Sequence, residues 1–240
     1  MSKMILTSLE KGLFTVTLNY PEKHNCMGVE MLNALMEVIK IAGTNSKISA
    51  LLIKGAGDSA FSSGANIKEF NGLETNEAKN WIELGNAINN ALETLKKPTV
   101  AYINGYAMGG GLELALACDF RLGSEKAILA MPEVSNGWLP GWGGMTRLRR
   151  LIGEANAKSM VLLSERVNAS TAKSLGIITE ILEKGQEETL LNDFMVRLIN
   201  INPVAYALAK SVLMDETRTT TGTDIDFDIL ALNIAKETSD

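Results

Sequence analysis

The sequence predicts an α/β fold over about its first 140 residues, followed by a mainly helical C-terminal region. Three observations carry this. Alternating or wholly apolar strand patterns punctuate the first half. Two segments share one plan of strand, glycine-bearing turn and helix start. From about residue 143 onward the apolar spacing is helical.

The elements follow in order. Phe14, Val16 and Leu18 alternate with Thr15, Thr17 and Asn19, so the first 20 residues read as two strands. A turn follows at 21–25, and then Met31, Leu35, Val38 and Ile39 recur at helical spacing. Ala50-Leu51-Leu52-Ile53 is short and wholly apolar, which suits a strand buried on both faces. It leads through a loop to Phe61-Ser62-Ser63-Gly64-Ala65-Asn66-Ile67. A polar helix over 75–96 carries Trp81, Leu84, Ile88 and Leu92 on one face. Residues 99–103 and the glycine-rich 104–111 repeat the strand–turn–helix plan, and 112–118 is apolar almost all round, a buried helix. Strands are expected at 119–123, 127–130 and 178–183, and helices at 143–152, 155–164, 169–175, 187–200, 203–214 and 224–237. No low-complexity linker divides the chain. The expected organisation is a core over 1–190 and a helical region over 191–240 that does not fold alone.

Composition narrows the function. Hydrophobic residues make up 46% and charged residues 21%, ordinary for a globular protein. Net charge is −5, with 23 basic and 28 acidic residues and a pI near 5.1, so the basic footprint of a nucleic-acid or anionic-membrane partner is missing. No apolar run approaches the roughly 18 residues of a membrane span, and the first residues lack the apolar core of a secretory signal. Cys26 and Cys118 lie far apart and imply no disulfide framework, so a cytoplasmic location is expected. His24 is the single histidine and sits in a charged turn, expected at the surface. Any Ser-His-Asp, Cys-His or His-bearing metal site would have to use it.

Glu113 is the most informative residue. Its neighbours three and four places away are Gly109, Gly110, Leu116 and Ala117, so no polar helix face is available to it. A buried carboxylate is costly unless it is hydrogen-bonded, paired or shifted in pKa. It either ties down a backbone N–H or does acid–base work in a dry pocket. Glu133 follows Pro132 and fits an ordinary helix start, or a second carboxyl facing the same pocket. Gly109-Gly110-Gly111 and Ser63-Gly64-Ala65 either permit tight packing or expose N–H donors that could converge on an enolate-like oxygen. There is no phosphate-binding G-x-x-x-x-G-K-[ST] motif, and Gly55-x-Gly57-x-x-Ala60 is only a faint echo of a dinucleotide fingerprint, with no helix directly behind it.

Three stretches together resemble the crotonase superfamily, and within it the enoyl-CoA hydratase/isomerase family. They are PEKHNCMG at 21–28, AFSSGANIKEF at 60–70, and NGYAMGGGLELALACDFRL at 104–122 continuing through MPEVSNGWLPGWGGMTRL at 131–148. The likeness runs from about Leu13 to the end, and the last stretch, with both glutamates at this spacing, is highly specific.

The resemblance implies a crotonase-like spiral of ββα units with C-terminal helices that build homotrimers, often paired into hexamers. It implies an oxyanion hole from the N–H groups of Ala65 and Gly110. It implies that Glu113 activates water for attack at the β-carbon of a 2-enoyl-CoA thioester while Glu133 delivers a proton at the α-carbon. Lys23, Asn25 and Met27, then Ser63, Gly64, Ile67 and Lys68, match stretches lining the coenzyme-A site, and the resemblance makes Gly109, Pro140, Gly141 and Trp142 substrate-binding too, with Trp142 beside the acyl pocket. No metal, flavin or nicotinamide is implied, coenzyme A being part of the substrate.

Two departures stand out. Asn66 replaces the family's usual Asp, keeping a capping side chain and losing a charge. Trp142 is bulkier than the usual residue there, and it either shortens the acyl pocket or serves packing. Isomerases of the family rely on one of the carboxylates, so retention of both favours a hydratase over a Δ3,Δ2-enoyl-CoA isomerase or an acyl-CoA decarboxylase. A non-catalytic acyl-CoA- or RNA-binding homologue would have no need of both.

Overall fold

The computed structural model describes residues 3–214. The helix expected at 224–237, and with it much of the expected 191–240 region, lies outside them.

β1 (Ile5–Glu10) and β2 (Leu13–Leu18) form a hairpin. Its turn residues Lys11 and Gly12 both have positive φ, 47° and 86°, the twist that suits a two-residue antiparallel connection. α1 (Val29–Thr44) buries Met31, Leu32, Leu35, Val38, Ile39 and Ala42 at helical spacing.

Three ββα units then follow. The first is β3 (Ala50–Gly55), β4 (Ala60–Ser62) and α2 (Ile67–Phe70), followed by α3 (Thr75–Glu93). The second is β5 (Thr99–Ile103), β6 (Tyr106–Met108) and α4 (Gly110–Leu116). The third is β7 (Phe120–Ser124), β8 (Ile128–Ala130) and, after a short 3-10 turn, α5 (Gly144–Leu162). The chain continues through β9 (Val167–Asn168), α6 (Ala169–Ser174), β10 (Glu180–Leu182), α7 (Glu187–Ile199) and α8 (Pro203–Met214).

The repeated plan read from the sequence is therefore richer by one strand per unit. β4 and β6 have three residues each, too few to show a period of two. The first strands of the units build one sheet, in the order β1-β2-β3-β5-β7-β10, parallel from β2 onward. The second strands build another, β4-β6-β8-β9. This is the spiral of ββα units. α5 is broken at Gly153 (φ 77°), which separates the two helices expected at 143–152 and 155–164.

The larger sheet is covered on both faces, so its central strands β3 and β5 are mostly apolar. Val16, Ile53, Ala101 and Ile103 face a core shared with α1, α3, α4 and α5. Ala50, Leu52, Val100 and Leu122 face Leu191, Phe194, Met195 and Leu198 of α7. The boundary expected at 190 and 191 falls inside that helix. No helix among the described residues is long and apolar enough to cross a membrane.

Candidate active site

The site forms where the second strands of the units end and their helices begin. Asn25 stitches its first wall. It is fully buried with φ 53°, a left-handed conformation that Asn tolerates better than most residues. Its Nδ2 donates to the carbonyls of Ala56 (3.0 Å) and Ala60 (2.9 Å), and its Oδ1 accepts the Tyr20 N–H (2.9 Å). Ser62 Oγ donates to the Asn25 carbonyl, and the Gly64 N–H donates to Ser62 Oγ. Met27 then pairs with the next turn: its N–H donates to the Gly64 carbonyl, and its carbonyl accepts the Asn66 N–H. In such a parallel bridge the intervening residue, Ala65, turns its own N–H away from Met27.

Gly109 supplies the second wall. Its N–H donates to the Ala130 carbonyl, and it adopts φ 50° and ψ −124°, outside the range of side-chain-bearing residues. A Cβ there would also strike Glu133 Oε1. Gly110 follows as the first residue of α4, where a helix leaves its N–H groups unpaired. A Cβ on Gly64 would collide with the Met108 carbonyl and the Gly110 N–H, so the two turns touch backbone to backbone.

α4 is buried on every side and carries Glu113 inward, at 2% exposure. Oε1 of Glu113 accepts two N–H groups, from Trp142 (2.9 Å) and Gly144 (2.8 Å). Burial is the main influence on this carboxyl and raises its pKa from 4.5 to about 7. The two N–H bonds oppose the rise, nearby Glu133 adds to it, and Arg147 opposes it. Glu133 begins the 3-10 turn Val134–Asn136, and burial raises its pKa as well. Its Oε2 is buried with no hydrogen-bond partner among the described residues.

Both glutamates line one pocket of about 110 Å3, together with Ala65, Gly110 and an aromatic wall of Phe70, Trp81, Trp138 and Trp142. The rings meet edge-on or tilted: Phe70–Trp81 at 4.8 Å, Phe70–Trp138 at 4.7 Å and Trp81–Trp142 at 5.1 Å between centroids. The Trp142 ring fills the space that a Cβ would need on both Gly85 of α3 and Gly110 of α4.

Of the residues singled out from the sequence, Ser63, Ala65, Ile67, Gly109, Gly110, Glu113, Glu133, Gly141 and Trp142 line this pocket. Gly64 is buried just behind it, against Gly110. Lys23 and Lys68 are exposed, and the Lys23 carbonyl accepts Ser63 Oγ at 3.4 Å. The side chains of Asn25 and Met27 and the ring of Pro140 are turned into the interior, so the first two shape the wall instead of offering side chains to a ligand. His24 is exposed, as expected.

Asn66 does not cap α2. Its Nδ2 donates to Glu69 Oε2 (3.0 Å), while Glu69 Oε1 accepts the Val29 N–H at the start of α1 (3.0 Å). An Asp at 66 would set two carboxylates against each other here. Phe70, Ile82, Trp138 and Leu139 were not legible as site residues, and Trp81 read only as one face of a helix. Among the described residues no three His, Cys, Asp or Glu side chains stand close enough to hold a metal ion.

Comparison with known proteins agrees with this fold. A family model described as enoyl-CoA hydratase/isomerase matches residues 8–239. The short-chain-enoyl-CoA hydratase of Clostridium acetobutylicum is 32% identical over 209 residues, covering 87% of this chain and 80% of that protein. The crotonyl-CoA hydratase of Syntrophomonas wolfei is 30% identical over 222 residues, covering 92% and 84%. Among solved structures, the enoyl-CoA hydratase of Bacillus anthracis superposes with a TM-score of 0.89 at 28% identity, over 96% of this chain and 90% of that one. DspI of Pseudomonas aeruginosa gives 0.90 at 29% identity, over 96% of each chain. The chain belongs to the enoyl-CoA hydratase/isomerase family.

Proposed function

We propose that the protein is an enoyl-CoA hydratase that adds water to short 2-enoyl-CoA thioesters and catalyses the reverse dehydration. The observation that carries this is the pairing of two desolvated carboxyls, Glu113 and Glu133, in one small pocket beside the backbone N–H groups of Ala65 and Gly110. Glu113, with a pKa of about 7, is poised to take a proton from water near neutral pH. The water oxygen bonds to the β-carbon, and the thioester oxygen gathers the enolate charge against the Ala65 and Gly110 N–H groups. Glu133, whose unpartnered Oε2 suits the protonated form, gives its proton to the α-carbon. Glu113 then releases its proton and Glu133 regains one through solvent, which closes the cycle.

The small pocket and the seated Trp142 support a short acyl group. Ser63, Ile67 and Lys68, with the backbone near Lys23, belong to the proposed coenzyme-A side of the mouth. The homotrimer implied by the sequence resemblance is part of this proposal and is checked by light scattering.

The test is loss of the conjugated-thioester absorbance of crotonyl-CoA on addition of the protein, with 3-hydroxybutyryl-CoA as product. A folded protein that binds the thioester without consuming it overturns the hydratase reading. Double-bond migration in a 3-enoyl-CoA, or carbon dioxide from a malonyl-type thioester, would then identify an isomerase or a decarboxylase.

A further inference from the structure

Both N–H groups that hold Glu113 come from one turn, residues 141–144, and that turn is itself gripped from behind. The Gly141 carbonyl accepts Asn86 Nδ2 (2.5 Å). The Trp142 carbonyl accepts two donors, Asn89 Nδ2 (2.9 Å) and Arg147 Nη1 (3.1 Å). Arg147 is buried and commits its remaining donors to α3. Its Nε and Nη2 donate to Glu93 Oε2 (3.0 and 2.6 Å), and Nη2 also donates to Asn90 Oδ1 (2.7 Å). Asn86, Asn89, Asn90 and Glu93 recur at three- and four-residue spacing, so they form one polar stripe on α3 facing the turn. Gly143, at φ 83°, lies so close to Arg147 Nη1 that a Cβ there would collide with it.

We propose that Arg147, with Asn89, is a positioning residue: it holds the 141–144 turn so that two N–H groups aim at one oxygen of Glu113, and so sets how readily that carboxyl gives up its proton. This rests on Glu113 being the acid–base group. A planar guanidinium suits the task because its fork reaches a carbonyl and a carboxylate at once, in fixed geometry. Among the described residues the charged groups that act on Glu113 are Arg147 of α5 and Glu133 after β8, and strands β4, β5 and β6, packed on α4, carry no charged side chain. With Oε1 held by two N–H groups, Oε2 accepts no hydrogen bond from the described residues and is the oxygen left for water.

The test follows the Glu113 carboxyl by NMR of protein labelled with 13C at the glutamate carboxyl, with Glu113→Gln identifying its signal. This titration needs no substrate, so it stands apart from any failure to hydrate crotonyl-CoA. In Arg147→Met the midpoint should rise by about one pH unit, since a cation and the grip on the turn are both lost. Asn89→Leu changes no charge and removes one bond to the same carbonyl, and its midpoint should rise by about half a unit. The acid limb of kcat should move with each midpoint, while KM stays within about twofold. Arg147→Lys keeps the charge without the fork and should fall between wild type and Arg147→Met. Arg150→Met, which removes the other partner of Glu93, should leave the midpoint unchanged. Unshifted midpoints in folded Arg147→Met and Asn89→Leu overturn the proposal, as does a shift in Arg147→Met alone, which would make the effect one of charge. If Arg147→Met does not fold, Asn89→Leu decides.

Discussion

The two glutamates of the pocket are held in opposite ways. Glu113 rides a helix buried on every side, and one of its oxygens is fixed by two backbone N–H groups. Glu133 sits at the start of a 3-10 turn beside exposed residues, and its buried Oε2 has no partner among the described residues. An unsatisfied buried oxygen costs on the order of 1–3 kcal/mol, so it persists where a ligand supplies the missing bond. Under the proposed function, one carboxyl is set in place before substrate arrives, and the other is completed by substrate or water. Burial raises the pKa of both.

A two-carboxyl mechanism fails if either group proves dispensable. Glu113→Gln and Glu133→Gln should each lower kcat for crotonyl-CoA by about two to four decades, measured in folded protein by loss of the thioester absorbance. In the wild type, kcat/KM should fall about tenfold per pH unit below about 7, where Glu113 takes up its proton. A flat profile from pH 5 to 8 would remove Glu113 from the role of base. Next in size, Gly109→Ala forces a strained φ and pushes a methyl into Glu133 Oε1. Misplacing a reacting group by about 1 Å can cost about a hundredfold, so kcat should fall by about that much with thioester affinity retained.

Part of this site is legible because it breaks a local rule. A glutamate on an all-apolar helix and a triple glycine at its start are each costly or unusual, and they mark Glu113 and Gly110. The Pro132-Glu133 pair fits an ordinary helix start, and only the resemblance to the family pattern marks Glu133. What obeyed the rules stayed hidden. Trp81 fits the apolar stripe of an ordinary amphipathic helix, and nothing in that spacing separates a pocket wall from a core. The Asn86–Glu93 stripe looks like a solvated face until Arg147 arrives 54 residues beyond Glu93 to use it. Asn25 lay in a stretch read as binding coenzyme A, but its left-handed backbone turns the side chain inward, and a single residue's φ leaves no trace in periodicity.

The raised pKa of Glu113 also has a sign for stability. A carboxyl whose folded pKa lies above its unfolded value of 4.5 adds stability that is complete below pH 4.5 and lost as pH rises through about 7. Glu113→Gln should therefore gain on wild type between pH 5 and pH 8, by about 2–3 kcal/mol in urea unfolding. A constant difference across that range would mean that Glu113 ionises as easily in the fold as outside it.

The smallest expected effect separates the backbone of Trp142 from its ring. The backbone N–H holds Glu113, while the ring fills the space between Gly85 and Gly110 and closes the pocket beside Trp81. Trp142→Leu keeps the N–H and removes roughly half the ring's volume next to the proposed acyl site. A void of that kind is lined by apolar atoms and costs stability, but it also admits added methylenes, each worth about 0.8 kcal/mol when buried. The ratio of kcat/KM for an eight-carbon over a four-carbon enoyl-CoA should rise about tenfold, with the acid limb unmoved. If the limb shifts as well, ring and turn are coupled, and the firm hold on Glu113 depends on the packing of Trp142 as much as on its hydrogen bonds. If neither changes, the floor of the acyl pocket lies elsewhere along the aromatic wall, with Trp138 and the 72% exposed Leu139 the next residues to vary.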